Sequence, residues 1–296
     1  MQNRPFQQVD VFTTTPYLGN PVAVVLDGSG ISDAAMAGLA RWTNLSETTF
    51  VLPPTDAGRA AGADYRLRIF TPGMELPFAG HPTLGSCHAW LAHTGSQQSR
   101  IVQECGVGLV QVARTQEAGL QRLAFAAPPC QRSEPAPALL AHIAAALGLH
   151  STQIRAAQLL DNGPVWLGLL LDSAQTVLAL TPDHARLQNL GVKVGVCSTS
   201  ITLKATNLIA DVDAEPALTV RAFAAPIGVN EDPVTGSVNA SLAQWLIAEG
   251  LAPERYVAAQ GECLGRAGRV YVERDASGQV WVGGASVTCV SGMLNL

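Results

Sequence analysis

Two stretches decide how this chain is read: Arg68 Ile69 Phe70 Thr71 Pro72 Gly73 Met74 Glu75 Leu76 Pro77 Phe78 Ala79 Gly80, and Arg221 Ala222 Phe223 Ala224 Ala225 Pro226 Ile227 Gly228 Val229 Asn230 Glu231 Asp232 Pro233 Val234 Thr235 Gly236. Each runs from an Arg-x-Phe strand through a loop with Gly and Pro to Glu-x-Pro, and then to Gly. The interval from Glu to Gly is the same in both copies, and a helical apolar pattern follows each Gly at once. An echo at equivalent places implies a duplicated half-domain.

Between the copies, Pro128, Pro129, Pro135 and Pro137 crowd Ala127 to Pro137. Proline cannot extend a sheet or helix interior, so this segment reads as a linker and divides the chain into halves 1–128 and 129–296, with the last strand free to return to the first half. Before it, β-type runs fall at Gln8 to Phe12, Pro21 to Leu26, Thr49 to Leu52, Tyr65 to Thr71, Ile101 to Glu104, Gly108 to Arg114 and Leu120 to Ala126. The helical period appears at Ser32 to Trp42 and Pro82 to His93. After it come helices at Leu139 to Leu147 and Ser237 to Glu249, and strands at Ile154 to Leu160, Val165 to Leu171, Thr176 to Leu180 and Leu218 to Phe223. Both halves are of the α+β class.

Composition narrows the partners. Across 296 residues, 48% are apolar and only 14% charged, with a net charge of −5. So much apolar mass excludes a disordered chain, and the lack of a basic excess speaks against nucleic acid. Met1 to Asp10 has no signal-peptide core and the longest apolar runs, such as Val165 to Leu171, stop far short of a membrane span, so a cytoplasmic protein is expected. The six cysteines are scattered singly with no CxxC pair, which reads as reduced thiols and not as a zinc or disulfide framework. The chain also lacks a GxSxG elbow, HExxH, a phosphate-binding GxxxxGK[ST] loop and a strand-linked GxGxxG. What remains is acid/base chemistry on a small acidic molecule, with no cofactor and no metal.

The echoed loops suit such a ligand. A strand that ends in a tight loop and opens a helix directs several unpaired N–H groups and the positive helix end outward together. Gly80, His81 and Pro82 open the first helix, while Gly236, Ser237 and Val238 open the second and offer a hydroxyl cap. Taken alone, either loop reads first as ordinary capping; two matched loops favour anion binding, with the two helix starts facing one cleft. Glu47 lies in Asn44 Leu45 Ser46 Glu47 Thr48 Thr49 Phe50, a polar knot leading into an apolar strand, where a carboxylate serves either as general acid/base or as a turn cap. His81 stands at a positive helix end and is expected to be neutral. Asp232 either orients a substrate or closes an Asx turn before Pro233.

Together, several blocks resemble the signature segments of the PhzF-like (phenazine biosynthesis) isomerase family: Val9 to Thr13 with Gly19 Asn20 Pro21, Asn44 to Phe50, Arg68 to Pro72 with Glu75 to Thr83, Glu231 to Ser237, and Gln260 Gly261 with Gly265 Arg266. They occur in order over nearly the whole chain. The resemblance implies a diaminopimelate-epimerase-like fold, two half-domains each with a mostly antiparallel sheet wrapped around a central helix, and an active site in the cleft between them. It implies a cofactor-independent isomerase, commonly a homodimer. Glu47 would then move a proton between carbons of an unsaturated cyclic acid, with His81 and Asp232 assisting and Ser46, Gly80, Gly236 and Ser237 holding the small anionic substrate. Epimerase and proline-racemase relatives use a cysteine in each loop; neither loop here has one, which argues against a two-thiolate racemase. One departure stands out: many members carry His two residues after the Ser of the second loop, where this chain has Asn239, a side chain that cannot shuttle protons. A binding protein without turnover, or an amino- or hydroxy-acid epimerase using Glu47 and Asp232, therefore remain as alternatives.

Overall fold

The computed structural model describes residues 2–117, 119–199 and 216–296. They form two compact units, Met1–Ala126 with Gly283–Leu296, and Ala127–Val282. The first contains β1 (Asn3–Val11), β2 (Asn20–Val25), α1 (Asp33–Thr43), β3 (Thr48–Leu52), α2 (Asp56–Ala60), β4 (Tyr65–Phe70), β5 (Glu75–Leu76), α3 (Gly80–Thr94), β6 (Arg100–Cys105), β7 (Gly108–Glu117) and β8 (Leu120–Ala126). The second follows with β9 (Gln131–Ser133), α4 (Pro137–Leu147), β10 (Ile154–Asp161), β11 (Val165–Leu171), α5 (Ala174–Ala179), α6 (His184–Leu190), β12 (Lys193–Thr199), β13 (Leu218–Ala224), β14 (Val229–Asp232), α7 (Gly236–Ala248), β15 (Arg255–Gln260) and β16 (Gly268–Arg274). The chain then passes through β17 (Val280–Gly284) to β18 (Ser286–Asn295), which pairs antiparallel with β1.

The duplication is visible strand by strand. In the first unit β1 pairs antiparallel with β2, β2 parallel with β3, β3 antiparallel with β4, β4 antiparallel with β5 and parallel with β6, and β6 antiparallel with β7. In the second, β10, β11, β12, β13, β14, β15 and β16 repeat this order and these directions without exception. The mixed α+β class read from the sequence is the observed one, mostly antiparallel with two parallel steps in each unit.

The echo holds the hairpin that precedes each central helix. Arg68 donates from Nε and Nη2 to the two carboxylate oxygens of Glu75 at 2.7 Å each, closing β4 on β5. Arg221 does the same to Glu231 at 2.9 and 2.8 Å, closing β13 on β14. Each guanidinium also lies 5.0 Å from a ring centroid, Phe70 in one copy and Phe223 in the other. The Arg, Phe and Glu of the echo are thus a clamp that aims the following loop and helix, not ligand-binding groups themselves.

Helix α3 has little amphipathic character because it is buried nearly all round: Gly80 to Cys87, Ala89 and Leu91 are buried, and the helix packs on β1, β2, β3, β4, β8 and β18. Helix α7 buries Gly236, Val238 to Ala243 and Trp245 to Ile247 against β10, β11 and β16. The two units reach this close packing differently. In the first the helix gives way: a Cβ at Gly85 would collide with Val22 Cγ1 and lie 3.0 Å from Val11 Cγ2. In the second the sheet gives way, since a Cβ on Gly195 would lie 2.9 Å from Val238 Cγ1. Gly85→Ala is accordingly expected to cost about 1–3 kcal/mol through overpacking, read as a lower urea midpoint with an unchanged slope.

Two sequence expectations need correction. Thr176 to Ala179 is helical, with Leu180 as its C-cap, and not a strand, because Ser173 caps α5 by accepting from Thr176 N at 3.1 Å, and the Arg221 guanidinium donates to the carbonyls of Val177 and Leu180 at 3.1 and 2.8 Å. The linker segment contains a short strand, β9, paired antiparallel with β10; its exposed residues mark it as an edge strand that flanking prolines permit.

Candidate active site

In the first unit three elements bring polar groups together. Helix α1 ends on Asn44, left-handed at φ 53°, and the chain turns through half-buried Ser46 so that Glu47 enters β3 alongside β2. Helix α3 starts at buried Gly80, which places His81 in its first turn with 4% of its surface exposed. There the Glu47 Oε2 atom lies 3.3 Å from His81 Nε2, and the Glu47 side chain keeps 14% of its surface open. On the other side of the ring, Nδ1 lies 3.4 Å from Nδ2 of Asn20, itself 1% exposed at the start of β2. Asp10 closes the loop that presents Asn20 by accepting from Gly19 N at 3.0 Å.

The separation of Glu47 from His81 is set by a buried pin one turn further on. Thr49 Oγ1 and Ser86 Oγ share a hydrogen bond of 2.8 Å, and Thr49 also donates to the Ala23 carbonyl at 3.2 Å. Both side chains are 0% exposed, so β2, β3 and α3 are locked in one register.

Burial pushes the imidazole of His81 down from 6.5 to about 3, the backbone of Pro21 opposing this only in part. The ring is therefore neutral, as the helix start led us to expect, but desolvation is the larger cause. A stability effect follows from the sign of this shift. The unfolded chain takes up the proton first, so this contribution is complete above about 6.5 and is lost as pH falls toward about 3. His81→Gln is expected to lose less stability than the parent between about pH 7 and about pH 5 in urea titrations, the parent being the steeper.

The equivalent loop of the second unit runs from Asp232 at the end of β14 to Gly236 at the start of α7. Thr235 Oγ1 donates to Asp232 Oδ2 at 2.6 Å. Gln260 accepts from Thr235 N at 3.0 Å, and its amide nitrogen donates to Thr235 Oγ1 and to the Asp232 carbonyl at 2.9 and 3.1 Å. Asn239 donates to Gln260 Oε1 and the Thr235 carbonyl, both at 2.9 Å. Gly261, next to Gln260, adopts φ +99°, and a Cβ there would lie 2.7 Å from the Pro233 carbonyl, which accounts for the Gln260 Gly261 pair.

Ser237 does not cap its helix as the sequence suggested. It lies inside the first turn, where its hydroxyl accepts from the Trp166 indole N–H at 3.2 Å; the cap residue is Thr235, whose own hydroxyl is committed to Asp232. Neither α3 nor α7 has a side-chain cap, so the N–H groups at both helix starts keep their preference for an anion. Asn20, Thr235 and Gln260 were not among the expected site residues, although all three stand in blocks that carry the family resemblance.

All six cysteines are free thiols, and the one on α3, Cys87, is buried with its thiol pushed up to about 12. Among the described residues no three His, Cys, Asp or Glu side chains gather as a metal site. Among the described residues no helix is long and apolar enough to cross a membrane.

The class of protein is an isomerase, as curated relatives of this chain are named. Comparison with known proteins gives the family. The family model for phenazine biosynthesis-like proteins (PhzC-PhzF) matches residues 9–292, and the chain belongs to that family. It is 36% identical to Antisense-enhancing sequence 1 of Schizosaccharomyces pombe over 99% of both chains. It is 34% identical to trans-2,3-dihydro-3-hydroxyanthranilate isomerase of Pseudomonas aeruginosa over 92% of this chain and 90% of that one. The crystal structure of a Bacillus anthracis PhzF-family protein has the same fold, with a TM-score of 0.83 at 21% identity over 100% of both chains.

Proposed function

We propose that the chain isomerises a small carboxylate-bearing, cyclic and unsaturated substrate by moving one proton between carbons, without a cofactor. The carrying observation is the 3.3 Å approach of Glu47 Oε2 to the buried, neutral ring of His81. Glu47 takes the proton from a carbon next to the conjugated system as that C–H bond breaks. The electron pair moves into the conjugated system, and the protonated Glu47 returns that proton to a second carbon, ending as the carboxylate it began as, so that no atom or electron is gained or lost. His81, held neutral by burial, offers one hydrogen-bond donor and one acceptor to hold Glu47 and the substrate in place. In the first unit Ser46 and the helix start at Gly80 bind the carboxylate; Gly236, Ser237 and Asp232 are the corresponding candidate substrate-binding groups of the second unit.

The P. aeruginosa relative's name supplies the first compound to test, trans-2,3-dihydro-3-hydroxyanthranilate. Incubated in D₂O, wild type should consume it and give deuterated product, while Glu47→Gln should do neither. Equal consumption and labelling by both proteins would overturn the assignment of Glu47. A rise in melting temperature with this compound, with no turnover by wild type, would point to binding alone.

A further inference from the structure

Every proton in the buried chain behind Asp232 has only one place to go. The backbone N–H of Thr235 can only donate, so the Gln260 atom facing it at 3.0 Å is the carbonyl oxygen and the amide orientation is settled. The Gln260 nitrogen must then donate, to the Asp232 carbonyl and to Thr235 Oγ1. Since that hydroxyl already accepts, its own proton is directed along the 2.6 Å contact to Asp232 Oδ2. Both Asn239 protons are likewise spent, one on Gln260 Oε1 and one on the Thr235 carbonyl. Thr235, Gln260 and Asn239 are 6%, 3% and 1% exposed, so water does not compete for these bonds.

We infer that Thr235, Gln260 and Asn239 form a one-way positioning chain that holds Asp232 as a fixed hydrogen-bond acceptor at the start of α7, and that Asn239 orients Gln260 instead of carrying a proton. The inference rests on the reading of Asp232 as a site residue and deepens it. Asn239 thereby acquires a defined role, because the acceptors at Gln260 and Thr235 call for two protons on one side chain. An amide supplies both, so turnover does not require a titrating group at this position.

The test is a double-mutant cycle on turnover of trans-2,3-dihydro-3-hydroxyanthranilate. Thr235→Val keeps the shape and removes the hydroxyl; kcat/KM should fall roughly 100-fold, in line with misplacement of a substrate-orienting group, whereas Thr235→Ser should stay within about fivefold of the parent. In an Asp232→Asn background, Thr235→Val should cost less than about threefold more, because its effect passes through Asp232. Gln260→Glu presents an acceptor where the chain needs a donor and draws the Thr235 proton away from Asp232, so it should imitate Thr235→Val even if the valine variant fails to fold. An equal loss on adding Thr235→Val to wild type and to Asp232→Asn, or full activity of Gln260→Glu, would overturn the positioning chain. Full activity of Asp232→Asn alone would instead overturn the reading of Asp232 as a site residue and leave the chain's geometry standing.

Discussion

Glutamine in place of Glu47 is expected to lower turnover by about 10²–10⁴-fold, the usual contribution of a positioned general acid/base. The substitution preserves size and one hydrogen-bonding oxygen, and removes the negative charge and with it the ability to accept and return a proton. Because the His81 ring 3.3 Å from Glu47 is neutral, the substitution strands no charged imidazole there. The fold should therefore persist, and the urea midpoint should stay close to that of the parent while kcat collapses. Loss of kcat together with the fold would mean that Glu47 is a structural cap, the reading that its place between α1 and β3 also permits.

The second large effect concerns the echo, whose two copies carry different weight. Arg221 and Glu231 expose only 6% and 8% of their side chains, whereas Arg68 and Glu75 expose 21% and 42%. Removing one partner of a buried pair leaves the other charged, desolvated and unpaired, at a cost of about 3–5 kcal/mol. Arg221→Met should therefore destabilise by about that amount, more so because it also orphans the carbonyls of Val177 and Leu180. Arg68→Met should cost only about 1 kcal/mol, since water reaches its partners. Urea denaturation of the two variants side by side measures the difference. Equal losses would show that the clamps, though alike in geometry, do not differ in solvation as their burial indicates. Adding Glu231→Met to Arg221→Met should recover part of the loss, the share due to the stranded carboxylate.

These expectations also show where sequence and structure part company. The duplication was legible because Arg68, Phe70, Glu75 and Gly80 recur as Arg221, Phe223, Glu231 and Gly236 in order. The purpose of the echo was not: the sequence drew attention to the helix-start loops, and only the bidentate contacts showed that its Arg and Glu build the hairpin in front of them. The strand expected at Thr176 to Leu180 failed because five residues with an apolar majority fit either period. A local cap from Ser173 and a remote guanidinium from Arg221 decided for helix.

By itself the sequence determined the α+β class, the repeated unit, the family resemblance and the identities of Glu47, His81 and Asp232 as the groups to watch. These depend on order and spacing along the chain, which a sequence records directly. Tertiary structure alone decided which of those groups meet and in what state. Asn20 and His81 are far apart in the chain, as are Thr235 and Gln260, and each pair is made by strand register and helix packing. Protonation follows from the same source: burial, not the residue type, keeps His81 neutral, and a hydrogen bond can orient Asp232 only once Thr235, Gln260 and Asn239 have been folded behind it.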